Sequence, residues 1–141
     1  MATASRRQQT TTIGLSIRNA AAAIEFYKNA FGAKEASRIP DKDGKRIMHA
    51  SLEINCGEIY LNDDYPEYRG GKGGTPKAIG GTPITLHMNV ANCDEAVKKA
   101  VAAGAKCTMQ PADMFWGARY AQVVDPYGYT WALMHPLGKM P

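Results

Sequence analysis

The sequence predicts an α+β fold made of two successive βαβββ modules. Two observations carry this. Gly32-Ala33-Lys34 recurs as Gly104-Ala105-Lys106, an offset of 72 residues, and each copy closes a segment of helical period. Around each helix lie short runs in which apolar and polar residues alternate, the period of a half-buried strand.

The elements follow in order. Ile13, Leu15 and Ile17 alternate with Thr12, Gly14 and Ser16, which predicts a first strand. A helix follows over Ala20 to Phe31, with Ile24, Tyr27, Ala30 and Phe31 on one face. Asn19 stands at its N-cap position and Gly32 at an αL C-cap. Three strands come next, Glu35–Ile39, Ile47–Ile54 and Glu58–Asn62, separated by turns at Asp41-Lys42-Asp43-Gly44 and Asn55-Cys56-Gly57. The second copy begins with Ile84, Leu86, Met88 and Val90 alternating with Thr85, His87 and Asn89. Its helix covers Asp94 to Ala103, with Ala96, Val97, Ala100 and Val101 on one face, Asn92 or Cys93 as N-cap and Gly104 as αL C-cap. Strands at Lys106–Gln110, Arg119–Val124 and Thr130–Met134 complete it, the last two joined by Asp125-Pro126-Tyr127-Gly128. The resulting division is a flexible tail at 1–10, a module at 11–64, a Gly-rich linker at 65–82, a module at 83–136 and a tail at 137–141. Gly71-Lys72-Gly73-Gly74-Thr75 in the linker lacks the GxxxxGK[ST] order of a phosphate loop, and no helix is expected after it.

Composition limits the function classes. The 141 residues are 45% hydrophobic and 21% charged, ordinary globular usage that excludes a disordered chain or a coiled coil. No stretch reaches the roughly 20 apolar residues of a membrane span. The net charge is +4, without the dense Lys/Arg cluster of a nucleic-acid surface, so neither membrane nor nucleic acid is expected as a partner. Cys56, Cys93 and Cys107 are odd in number and wrongly spaced for a disulfide framework or a zinc finger, and a reducing, cytoplasmic setting is expected. The N-terminus lacks the apolar core of a secretory signal and reads as a frayed tail.

The doubled module resembles the vicinal oxygen chelate superfamily of glyoxalase I, bleomycin-resistance proteins and extradiol dioxygenases. The residues that carry the resemblance are Ala22 to Ala33 and Asp125-Pro126-Tyr127-Gly128-Tyr129-Thr130-Trp131. Phe115-Trp116-Gly117-Ala118-Arg119-Tyr120, with Lys45 to Asp64, is similar to the PhnB-like branch. The resemblance implies a curved mixed sheet around a cavity, and a homodimer.

Metal-dependent relatives take a ligand from the first and last strand of each module. The resemblance carries these positions to Thr12 and Tyr60 in the first module and Thr85 and Ala132 in the second. A divalent transition metal needs imidazole, carboxylate or thiolate, so no family-type metal centre and no other cofactor is expected. The alternative is a displaced divalent metal site, or an acid–base pair, drawn from His49, Glu53 and His87. Strand alternation puts Ile47, His49, Ser51 and Glu53 on the sheet face away from the helix, opposite Met48, Ala50, Leu52 and Ile54. The same reasoning, with the loop aromatic Trp116 at a cavity mouth and Arg119 as a holder of an anionic ligand or else half of a surface ion pair, gives a ligand pocket of Tyr60, Asn62, Thr85, His87, Asn89, Trp116, Arg119, Tyr120 and Ala132. Trp131 is expected on the helix side, and His135 in an exposed Pro-rich tail. The function expected is binding of a small molecule. The alternatives are a metal-dependent or acid–base enzyme acting on a small oxygenated substrate (lyase, isomerase or dioxygenase-like), a drug-sequestering resistance protein, and an interaction protein with a vestigial cavity.

Overall fold

The structure, a computed structural model, describes residues 11–138, so the tail expected at 1–10 and all but the first two residues of the tail expected at 137–141 lie outside it. The first module is β1 (Gly14–Ile17), α1 (Ala20–Phe31), β2 (Lys34–Pro40), β3 (Ile47–Ile54) and β4 (Gly57–Asp63). A short helix, α2 (Pro76–Ile79), lies between the modules. The second module is β5 (Thr85–Asn89), α3 (Cys93–Ala103), β6 (Lys106–Asp113), β7 (Ala118–Val124) and β8 (Thr130–Pro136).

The strands form two four-stranded sheets, ordered β1-β4-β3-β2 and β5-β8-β7-β6. In each, the first and last strands of the module pair in parallel and the remaining pairs are antiparallel. A parallel pair needs a crossover, and the helix supplies it. The expected pair of βαβββ modules is present, and their two sheets share no strand pair among the described residues. The physical reason is where the helices go. α1 packs on β3 and β4, α3 packs on β6, β7 and β8, and the two helices pack on each other. The modules thus join through their helix-facing sides rather than edge to edge.

One apolar core results, containing Leu15, Ile17, Ile24, Leu52 and Leu61 from the first module with Met88, Val97, Val123, Trp131 and Leu133 from the second. Tyr27 and Phe31 of α1 reach the Trp131 ring on β8, with centroids 5.5 and 4.7 Å away. Trp131 is buried on the helix side, as expected. Of the helix faces read from the sequence, Ile24, Tyr27, Ala30, Val97 and Ala100 are buried, whereas Val101 is 44% exposed.

Asp125, the first residue of the final turn, sits inside this core and is fully used. Its Oδ2 accepts from the Tyr27 hydroxyl at 2.6 Å and from Trp131 Nε1 at 2.9 Å, and its Oδ1 accepts from the Tyr127 and Tyr129 amides. A buried carboxylate is tolerable only when its oxygens are satisfied. Burial, and then Asp125, push the Tyr27 hydroxyl well above its ordinary pKa, which keeps it a neutral donor.

The helix starts match expectation. Asn19 accepts from the Ala22 amide and Asn92, rather than Cys93, is the second N-cap, accepting from the Glu95 amide. Gly32 is αL, with φ 69° and ψ 27°. Gly104 has a positive φ of 125° but lies outside the αL region, contrary to expectation. Its amide still donates to Ala100 and Val101, so the helix is closed by hydrogen bonds without the αL geometry.

The segment expected as a pliant linker is held at several points. It contains a 3₁₀ turn at Pro66–Tyr68 as well as α2, which follows the Gly-rich run where no helix was expected. Pro76 supplies the fixed φ of a helix start and Thr75 caps it, accepting from the Ala78 amide. Asp64 accepts from the Gly74 amide, Glu67 forms a bidentate pair with Arg46, and Tyr65 donates to Asp41 while its ring lies under the Arg46 guanidinium. A Cβ at Gly73 would come within 2.7 Å of Ala78 Cβ, so a larger residue cannot enter without moving α2. Of the glycines read as flexibility, Gly73 and Gly74 are closely packed, while Gly70, Gly71, Gly80 and Gly81 face open space at positive φ.

Candidate functional site

In both modules, strand alternation sends one set of side chains to the shared core and the other set away from it. The first module's outward set is Ser16 on β1, His49, Ser51 and Glu53 on β3, and Glu58, Tyr60 and Asn62 on β4. On it Ser51 lies opposite Tyr60 and Glu53 opposite Glu58. The Ser51 hydroxyl donates to Glu58, and the His49 ring meets the Tyr60 ring edge-on, centroids 4.7 Å apart. The second module's outward set is Thr85, His87 and Asn89 on β5, Tyr120 and Gln122 on β7, and Thr130, Ala132 and Met134 on β8. His87 lies opposite Ala132, and Ala132 opposite Gln122. Thr85, His87 and Asn89 are exposed, while Tyr120 and Ala132 are buried yet stand outside the apolar core.

An aromatic row crosses the second face. Phe115 meets Trp116 at 5.2 Å, Trp116 meets Tyr120 at 5.6 Å, and Tyr120 meets His87 at 6.4 Å. Gln122 Nε2 donates to the Tyr120 hydroxyl at 2.9 Å and fixes its direction. The sequence reading missed Gln122, although it stands two residues from Tyr120 on the same strand face. Phe115 is 96% exposed.

Three expectations are corrected. Arg119 points to the helix side of β7, where it forms a bidentate pair with Asp94 at 2.6 and 3.0 Å and bonds Asp113 at 2.9 Å. It belongs to no ligand pocket; one residue from Tyr120, strand alternation sends it the other way. The Arg119 guanidinium holds the Asp94 carboxyl below its usual range, and the two carboxylates hold Arg119 charged. His135 is not in an exposed tail. It lies on β8, half-buried, and its Nδ1 accepts the Cys93 amide at 2.8 Å.

The third correction concerns β3. Ile47 is buried and Met48 is 54% exposed, the reverse of the alternation read from the sequence. The pairing with β2 slips here, Ile39 facing His49 and Pro40 facing Ile47, so Met48 bulges out and Ile47 turns back to the core. The two polar faces stand on separate sheets, each on the side away from the shared core.

The metal question can be put to the residues themselves. Thr12 lies just before β1, Tyr60 on β4 opposite Gly14, Thr85 at the start of β5 and Ala132 on β8. Two hydroxyl side chains, a phenol and a methyl group do not fit a divalent transition metal. His49, Glu53 and His87 are not brought together either, since the first two lie on the first sheet and His87 on the second. Among the described residues, no three His, Cys, Asp or Glu side chains come close enough to hold one metal ion. No disulfide joins Cys56, Cys93 and Cys107. Burial raises the Cys93 pKa, and its Sγ donates to the Leu133 carbonyl.

Comparison with known proteins agrees with this fold. The family model of the glyoxalase/bleomycin resistance protein/dioxygenase superfamily matches residues 9–133. The chain belongs to that superfamily. Within it, an uncharacterized protein of Mycobacterium bovis is 45% identical over 123 residues, covering 87% of this chain and 80% of that protein. Among solved structures, an Arabidopsis thaliana gene product superposes with a TM-score of 0.70 at 24% identity, over 89% of this chain and 98% of that one. The PhnB protein from Bacillus cereus superposes with a TM-score of 0.67 at 18% identity, over 90% and 99%. As a superfamily member, the chain has the expected two-module α+β fold. No helix among the described residues is long and apolar enough to cross a membrane.

Proposed function

We propose that this superfamily member binds a small organic molecule on its outward sheet faces, without a metal at the four family positions. The observation that carries the reading is the second face. There Thr85, His87 and Asn89 are exposed beside Tyr120 and Gln122, with the Trp116 ring at one end. A few polar groups of different kind beside an aromatic wall are what small-molecule recognition uses. Loss of the metal follows from donor chemistry, since Ala132 offers no ligand atom and a neutral threonine hydroxyl is a poor one. Chemistry that needs a Lewis acid at those positions is then not this chain's function.

The protein acts as a cytoplasmic homodimer of the PhnB-like branch in this reading. Two exposed polar faces and the outer strands β2 and β6 offer surfaces that a second copy can cover, which supports a dimer. The Phe115-to-Tyr120 segment and the likeness to the Bacillus cereus protein support the branch.

Metal content tests the reading directly. Tag-free protein is expected to carry substoichiometric zinc, nickel, manganese and iron, and to keep its Tm on addition of a chelator. A tightly held metal near one per chain, lost in His49→Ala or His87→Ala, overturns it. Any ligand found by screening is expected to bind His87→Ala more weakly, through a lost hydrogen bond worth about 0.5–1.5 kcal/mol.

A further inference from the structure

We propose a second ligand site, for a small organic anion with a flat apolar body, in the cleft between the β1–α1 loop, the 64–78 segment and the β7–β8 turn. The cleft has a volume of about 750 Å³ and shares no lining residue with the sheet faces. That volume lies in the range of roughly 300–1,000 Å³ seen for ligand pockets. Arg18 enters from the β1–α1 loop and Lys77 from α2. Neither makes a hydrogen bond or ion pair with any described residue. This sets them apart from Arg38, Arg46 and Arg119, which are each held by acidic partners. Two cations left unneutralised at one cleft are suited to a carboxylate or phosphate group.

The rest of the lining suits a flat body. Pro66, Ala78 and Pro126 supply apolar surface and Tyr127 an aromatic one. The Tyr127 ring is anchored by an edge contact with Phe26 at 6.1 Å and its amide by Asp125, so the wall is in place before any ligand arrives. The opposing wall is equally built, with Thr75 capping α2 and Asp64 tied to the Gly74 amide. Asp64 is the acidic group of the cleft. Its two oxygens both face that amide, at 3.0 and 3.1 Å, and with Asp64 counted against Arg18 and Lys77 the lining keeps one net positive charge.

Amide-resolved NMR titration with phenyl phosphate tests this, with inorganic phosphate and phenol as separate arms. Phenyl phosphate is expected to give saturable shifts at Arg18, Lys77, Ala78 and Tyr127, and to bind at least tenfold more tightly than either half-probe. Arg18→Gln and Lys77→Gln, both at exposed positions, are expected to weaken it roughly 5- to 10-fold each, the scale of one charge-assisted contact. His87→Ala is expected to leave it unchanged, which separates this site from the sheet face. The proposal is overturned by no saturable shift up to ~10 mM probe, a Kd equivalent to about −2.7 kcal/mol. Equal binding of phenol, equal binding of inorganic phosphate, or shifts centred on His49 or His87 with both glutamine variants neutral would also overturn it.

Discussion

At the start of α1 the acidic group comes from a distant strand, whereas α3 carries its own. Asp63, at the end of β4, accepts the Ala20 amide at 2.9 Å with one oxygen and the Ile47 amide at 2.6 Å with the other, and the first turn of α1 holds no acid. In the second module the residue 72 positions on from Asp63 is His135. Its Nδ1 accepts the Cys93 amide at 2.8 Å, while Asp94 and Glu95 supply acids from within the helix. A helix N-terminus has free amides and partial positive charge, and both modules answer that need at the same place in the fold. The difference is that Asp63 also ties down the start of β3. In the second module, Arg119, 72 positions on from Ile47, instead reaches Asp94 by side chain. One buried carboxylate does in the first module what a histidine and a half-exposed ion pair share in the second.

This comparison predicts unequal costs. The largest belongs to Asp63→Ala, which strands two amides in a buried place and is expected to lower stability by about 3 kcal/mol. Chemical denaturation measures it, and a loss below about 1 kcal/mol would mean that water or backbone movement replaces the carboxylate. Next is His135→Ala, which releases one half-buried amide and is expected to cost about 1 kcal/mol by the same measurement. A cost equal to that of Asp63→Ala would erase the asymmetry.

The smallest effect is expected for Arg119→Ala, a loss below that of His135→Ala that falls with added salt, because the pair is partly exposed. It also has a pH signature. Arg119 lowers the Asp94 pKa in the folded state, so the pair's stabilisation is present above the ordinary aspartate pKa and is lost as pH falls through the depressed value. The difference between wild type and Arg119→Ala should therefore shrink on acidification, and a difference that grows would contradict the pairing.

The same offset shows what was legible. Asn19, Gly32 and most strand bounds, with the places where α3 starts and stops, could be read because caps, turns and alternation are local signals within a few residues. His135 was misplaced because a proline beside it suggested a tail, although counting 72 from Asp63 would have marked both as equivalent. Arg119 was assigned by its chemistry, when its phase relative to Tyr120 already sent it to the other face. Ile47 and Met48 could not be read correctly, because a bulge depends on the partner strand and leaves no signal in β3 itself. Arg18, Lys77 and Tyr127 meet across the fold from distant parts of the chain, so no local pattern joins them.

By itself the sequence determined the repeat, the element order, the helix caps and the poor metal-donor chemistry of Thr12, Tyr60, Thr85 and Ala132, because these depend on residue identity and short-range spacing. Only the tertiary structure decided that the modules meet through α1 and α3 and that Asp125 is the polar centre of the core. It also decided that the two polar faces turn away from the shared core and that the Gly-rich segment packs closely at Gly73 and Gly74. Those outcomes depend on which apolar surfaces bury one another across the chain. That choice is made by the whole core at once, since burial is roughly proportional to the area removed from water and carries no direction along the sequence.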